Sequence, residues 1–226
     1  MIRATAEEQM DAADLPAAVY ARVLADLDRV NRATMAARPT MAFLDRAVGD
    51  RPFRLLDVGY GDGGMLRAIA RRAARRGVAC YLVGIDLNPG SRDVARARTD
   101  PALPIAYRTG DYADLADEPW DVIVSSLVAH HMDEDQRDAF LRFMEAHARI
   151  GWFVNDLRRH AFAYHGYPLL ARLLRVHRIV REDGRLSIAR GFVPAEWRAM
   201  LARAGLTGIA RVERAFPFRL CVSRIR

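Results

Sequence analysis

Residues whose types and spacing can do chemistry gather at a few places along the chain. The first is Asp57-Val58-Gly59-Tyr60-Gly61-Asp62-Gly63-Gly64. Glycines at Gly59, Gly61 and Gly63 permit left-handed backbone and let a ligand approach the main chain. A helix starting beyond them would offer free N–H groups. A dinucleotide turn would use the spacing G-x-G-x-x-G instead. Here Asp57 stands two residues before the first glycine, where it would repel a pyrophosphate and suit a ligand with an ammonium group. The second place is Asp86, whose carboxylate can accept two hydrogen bonds from ribose hydroxyls. The third is Gly110-Asp111-Tyr112: the acid can accept from an exocyclic adenine amine, and the ring can pack on a base. The fourth is the pair His130-His131, the side-chain type that titrates nearest neutrality. Asn155-Asp156, with Arg158 just beyond, forms the fifth.

These residues need elements to hold them. A buried-strand pattern covers Phe53–Val58, and Met65–Arg76 reads as a helix stopped by Gly77. Val78–Ile85 is the next apolar strand and ends at Asp86. Pro89-Gly90 opens a short helix to about Arg98, and Ile105–Tyr107 is a weak strand before Gly110. Asp121–Val124 is a strong strand. Asp133 with Gln136 three residues later forms a capping-box-like helix start. Trp152–Val154 is a further strand, ending at Asn155-Asp156. The segment from about Leu15 to Ala47 is helical, with Leu24, Leu27 and Val30 at helical spacing. The stretch 157–201 is mostly helical, and Gly208–Val212 and Phe218–Ser223 are late strands, with Pro217 acceptable at a strand start. Strand and helix alternate with short spacings from Phe53 to Asp156, the signature of a parallel sheet covered by helices on both faces. The candidate acids then fall at successive strand ends, where open α/β sheets bind ligands.

The glycine turn with its strand-end acids resembles the class I S-adenosylmethionine-dependent methyltransferases, from about Leu15 to the C-terminus. The resemblance implies an α/β, Rossmann-like seven-stranded sheet, mostly parallel with an antiparallel last strand. It implies one methyltransferase domain over 1–226, with an N-terminal helical cap at 1–48 and a helical insert after the fifth strand at 157–201. It places Asp57, Gly59, Gly61 and Gly63 under the methionine and ribose moieties of S-adenosyl-L-methionine. Asp86, with Leu87 beside it, becomes the ribose acceptor; Asp111 and Tyr112 face the adenine; Ser125, Ser126 and Leu127 form a further cofactor wall. Tyr60 departs from the small residue usual at its position and could reach over the cofactor. Within the superfamily, DVGYGDGGML, SSLVAHHM and VNDLRRHAFAY are similar to small-molecule enzymes of the ubiquinone-biosynthesis type, above all bacterial members that accompany polyketide synthases.

Methyl transfer is a one-step displacement that needs in-line positioning, worth up to ~7–11 kcal/mol. A phenol of pKa ~10 is about 0.1% ionised at pH 7, which costs roughly 4 kcal/mol. A positioned base recovers about 10²–10⁴-fold of that. His131 is the leading candidate, since in similar enzymes acting on phosphoethanolamine a histidine at this place faces the acceptor; His130 is the second. Asp156 could orient a substrate or a histidine, or cap an element. Asn155, Arg158, His160, Tyr164 and His165 are candidate substrate contacts. The insert carries an apolar stripe including Leu169, Leu170, Leu173 and Leu174, which could cover the pocket at Leu170, pair two copies as a homodimer, or touch lipid. The N-terminal helices, with Tyr20, Asn31 and Arg32, would close the other side. The expected acceptor is an aromatic polyketide- or quinone-like metabolite methylated on oxygen or carbon. N- or carboxyl-methylation, and an S-adenosylmethionine-binding protein or cyclase without methyl transfer, are the alternatives.

The chain has 226 residues, 51% of them hydrophobic, enough for a sizeable core. No apolar run approaches the roughly 18 residues of a membrane span, and the acidic N-terminus does not read as a signal peptide, so stable membrane insertion is not expected. Two cysteines, Cys80 and Cys221, lie outside any CxxC pair. That excludes a zinc cluster of paired cysteines and fits a reducing, cytoplasmic setting. No metal is expected, because the acids fall at cofactor positions. The net charge is +7, yet every basic residue is arginine and most stand beside acids on helical segments, as on solvated faces. Nucleic acid is not expected as a substrate.

Overall fold

The computed structural model describes residues 1–12 and 14–226. Its centre is a seven-stranded sheet of β1 (Phe53–Val58), β2 (Cys80–Asp86), β3 (Ile105–Thr109), β4 (Trp120–Ser126), β5 (Ala148–Leu157), β6 (Arg211–Ala215) and β7 (Arg219–Ile225). The spatial order is β3-β2-β1-β4-β5-β7-β6. β1 to β5 run parallel, and β7 is antiparallel to both neighbours. The order reverses between β1 and β4, so the crevice for a ligand opens beyond their carboxyl ends.

Strand alternation divides the core into two layers. Leu56, Val58, Ile123 and Trp152 point to one face, under Phe140 and Met144 of α5 (Glu134–His147) and Trp197 of α8 (Pro194–Arg203). Leu55, Val122, Val124 and Phe153 point to the other, against α2 (Arg38–Ala47) and α3 (Gly64–Arg75), where the Phe43 and Phe153 rings stack at 4.8 Å. The expected capping box of α5 is formed by Asp133 and Gln136. α4 (Pro89–Ala97) is capped by Asn88. A third cluster joins α1 (Ala17–Ala33) to α6 (Ala161–Leu173) and α7 (Arg178–Arg190), through Val23, Val30, Tyr167, Ala171 and Ile179. Among the described residues, no helix is long and apolar enough to cross a membrane.

Several boundaries differ from the sequence reading, each for a local reason. The helical run 15–47 is broken at Met35, whose φ of 52° turns the chain between α1 and α2. β5 begins at Ala148, directly after α5, far earlier than Trp152. The sixth strand is Arg211–Ala215 rather than Gly208–Val212: it is a largely exposed edge strand without an apolar alternation to mark it, and Gly208 sits in a left-handed turn. β7 runs on to Ile225, and Pro217 lies in the turn before it.

Candidate active site

The glycine turn hangs between the ends of β1 and β4. Gly59 has φ 77°, and a Cβ there would lie 2.3 Å from Val128; Gly63 has φ 78°, and a Cβ there would lie 2.3 Å from the Tyr107 hydroxyl. Left-handed backbone and absent space together require glycine at both. Asp86 ends β2 and fixes the turn: its Oδ2 accepts from Gly61 N–H at 2.9 Å, and its Oδ1 accepts from Asn88 N–H at 2.9 Å. Burial raises the Asp86 pKa against those two hydrogen bonds. Asp57 is fully buried, and its Oδ2 has no hydrogen-bond partner among the described residues. Burial, helped by the nearby Asp86 charge, pushes its pKa up to about 7. A buried acceptor without a donor is costly, and an ammonium group is the partner that would relieve it.

Beyond the turn lies one cavity of about 1920 Å³. Typical ligand pockets hold about 300–1,000 Å³, so this one has room for two molecules side by side. Asp57, Gly59, Gly61, Asp86, Leu87, Asp111 and Tyr112 line it, as do Ser126 and Leu127. Leu87 is 75% exposed, an apolar surface beside the acid. Leu127 takes φ 64°, which for a branched L-residue is strained. Asp111 caps the following turn by accepting from Ala113 N–H at 2.9 Å.

Across the cavity stands a polar cluster. His130 Nδ1 lies 2.7 Å from Asp156 Oδ1, and the His130 N–H donates to the other carboxylate oxygen at 3.1 Å. His131 Nδ1 lies 2.8 Å from Asp11 Oδ2. The Nε2 atoms of His130 and His131 turn toward Glu8, at 3.6 and 3.9 Å. Burial acts to lower the His131 pKa, but the Asp11 hydrogen bond and the Glu8 and Asp11 charges outweigh it and hold it above the usual histidine value. Burial acts to raise Asp156, but His130 holds it below the usual carboxylate range. Glu8 is raised by burial, which the histidines and Ser187 only partly offset. The N-terminal segment is pinned by α7. Asp183 accepts from Gln9 and Met10 N–H at 3.1 and 2.9 Å, Ser187 donates to Glu8, and Arg190 donates to the carbonyls of Ala6, His130 and His131.

The structure thus brings His130, His131, Arg158 and Leu170 to the cavity, together with Tyr20, Asn31 and Arg32. Other expectations are corrected. Ser125 is buried and donates to the Val58 carbonyl at 2.9 Å, tying β4 to β1 rather than walling the cofactor. The Tyr60 ring packs inward against Gly84 and Tyr107, while the residue also lines the cavity. Gly63 sits behind the turn as the N-cap of α3. Asn155 is wholly buried and donates to the Ala36 carbonyl and to Ser126, fastening the α1–α2 connection. Asp156, also wholly buried, orients His130 from behind. His160 caps α6 by accepting from Phe162 N–H and packs on Phe218; Tyr164 lies under Arg185; His165 is exposed. Glu8 and Asp11, which no local pattern singles out, join the site only through folding.

Residues 55–151 match the family model described as a methyltransferase domain. No curated protein matches the chain in sequence. Among solved structures, the plantazolicin methyltransferase BpumL bound to S-adenosylhomocysteine is similar at 12% identity and TM-score 0.70, covering 95% of this chain and 92% of that one. Human N-acetylserotonin methyltransferase with S-adenosylmethionine is similar at 14% and 0.65, covering 99% and 60%. Magnesium protoporphyrin IX methyltransferase from Synechocystis PCC 6803 is similar at 13% and 0.57, covering 96% and 91%. Sheet order and these likenesses show the methyltransferase-type α/β fold, built around the matched residues 55–151. The Asp57 oxygen left without a partner among the described residues and the glycine cradle fit the ammonium and close approach of S-adenosylmethionine, the molecule bound in the N-acetylserotonin methyltransferase structure.

Proposed function

We propose that the chain methylates a small aromatic acceptor of polyketide- or quinone-like chemistry, at a hydroxyl oxygen or an activated ring carbon. The observation that carries this reading is a single cavity that joins the glycine turn to a histidine held by a carboxylate. Asp57, Gly59, Gly61 and Asp86 would hold the cofactor, with Leu87, Asp111 and Tyr112 toward its base. The cofactor supplies a methyl group on a sulfonium, already a good leaving group. His131 accepts the acceptor's proton on Nε2 while Asp11 holds Nδ1–H, and positioning of the two reactants supplies the rest. Phe162, Tyr167, Leu170 and Phe218 give the cavity an apolar wall. Arg219, 3% exposed, also lines it, with Nε and Nη1 lacking partners among the described residues; a guanidinium there suits the carbonyl or anionic oxygens of a polyketide-like ring. Two structural neighbours are named for magnesium protoporphyrin IX and N-acetylserotonin, which agrees with a small-molecule acceptor.

The test is methyl-labelled cofactor with a panel of phenols, naphthols, hydroquinones, amines and carboxylic acids. Label on an aromatic oxygen or ring carbon is expected. Label confined to amines or carboxylates would overturn the acceptor class.

A further inference from the structure

We infer that Glu8, His130 and His131 form a binding site for one divalent cation of the zinc class, its fourth position open to the cavity. The three ligand atoms lie within 4.8 Å of one another. The Nε2 atoms stand 3.6 and 3.9 Å from the Glu8 carboxylate. The shorter distance runs to Glu8 Oε1 and the longer to Oε2; a tetrahedral site with bonds of ~2.0–2.1 Å separates its ligands by roughly 3.3 Å, so the set must close in from the 4.8 Å within which its atoms lie. Each imidazole has its other nitrogen on a carboxylate, His130 on Asp156 at 2.7 Å and His131 on Asp11 at 2.8 Å. That arrangement fixes Nδ1 as the protonated atom and points the Nε2 lone pair inward, as metal-bound histidines are held.

Two further observations point to a ligand here. His130 Nε2 is buried and has no hydrogen-bond partner among the described residues. Glu8 is 4% exposed and meets one hydroxyl, from Ser187; a carboxylate that deep is costly without a cation or further donors. The ligands are also preorganised. Asp183 and Ser187 seat the Glu8 segment, and Arg190 donates to the carbonyls of both histidines. Two imidazoles with one carboxylate suit zinc better than magnesium or calcium, which prefer all-oxygen sites. A cation bound to His131 Nε2 occupies the lone pair that takes the proton in the proposed transfer. The loaded protein should therefore lose activity toward weakly acidic phenols and keep its cofactor affinity.

The test uses the full chain, stripped with chelator, dialysed against zinc and assayed for metal content, with cobalt(II) absorption as a second probe. One equivalent of zinc should be retained, and cobalt should give the intense visible bands of a four-coordinate site. Glu8→Gln and His131→Asn should each weaken binding tenfold or more, and Asp156→Asn by about 10–100-fold; His165→Asn, at an exposed position, should change nothing. Melting temperatures identify any variant that fails to fold, and Glu8→Gln alone then carries the comparison. Less than one equivalent in the wild type, or equal retention in Glu8→Gln and His131→Asn, would overturn the site. Metal content is read without any acceptor, so failure of this site and failure of the methyl-transfer reading are separate results.

Discussion

At the scale of single residues, Asp57 carries the clearest pH signature. Its folded pKa is raised to about 7 by burial and by Asp86. A raised carboxyl binds its proton more tightly folded than unfolded, so it favours folding below its ordinary value near 4. That advantage, on the order of 4 kcal/mol, is lost as pH rises from about 4 to about 7. The stability gain of Asp57→Asn over wild type in the cofactor-free protein should therefore grow across that window, as read by melting temperature; a constant difference would contradict the assignment. An ammonium beside Asp57 favours the ionised form. Cofactor binding should then release a proton near neutrality, measurable by calorimetry in buffers of different ionisation enthalpy. Asp86 is the second residue with a direct readout. Asp86→Ala removes the acceptor of Gly61 N–H as well as the proposed ribose partner, and should weaken S-adenosylmethionine binding by about 1–3 kcal/mol. Unchanged affinity would remove Asp86 from the cofactor site.

Among the elements, α7 acts as the clasp of the N-terminal segment. Asp183 is buried and accepts two backbone N–H groups of that segment. Asp183→Ala should cost about 1–3 kcal/mol of stability, raise the acceptor's KM and abolish hydrogen-exchange protection around Gln9 and Met10, with cofactor affinity unchanged. Loss of stability with no change in KM would make the contact structural only. This clasp also shows where sequence reading stops. The glycine turn and the acids at the ends of β1 and β2 are legible because one strand–turn–helix contains each of them. Asp11 meets His131 from 120 residues earlier in the chain, and Glu8 lies beside both histidines from a similar distance in sequence, so no local spacing records the contact. Ser125 and Asn155 lie at strand ends, yet the alternation of side chains turns both into the interior. His160 serves as a helix cap, a role that serine, threonine, aspartate and asparagine usually signal, and a histidine hides it. The β6 edge was displaced because an exposed strand has no apolar period to read.

Over the whole molecule, the arginine-rich surface is used for pairing. Arg76 meets Asp45 and Asp50, Arg203 meets Glu134 and Asp138, and Arg224 and Arg226 meet Glu145. Such pairs contribute little each, and they explain how a +7 chain carries its charge on solvated faces. The functional division is instead between two walls of one cavity: the sheet side, with the glycine turn and strand-end acids, and the side built by α6, α7 and the N-terminal segment. If Leu170 on that second wall covers the acceptor, Leu170→Asp should raise the acceptor's KM several-fold and leave cofactor affinity in place. A change confined to molecular mass in light scattering would assign the insert to pairing of two copies.

In the proposed reaction His131, held by Asp11, takes the acceptor's proton opposite the glycine turn. The most direct measurement is kcat for wild type and His131→Ala over phenolic acceptors of graded acidity, in metal-free buffer, with cofactor affinity and melting temperature measured alongside. A loss of about 10²–10⁴-fold is expected for weakly acidic acceptors, shrinking as the acceptor's pKa falls toward the assay pH, with cofactor affinity intact. An equal loss across the series would contradict it and leave positioning alone to account for the transfer.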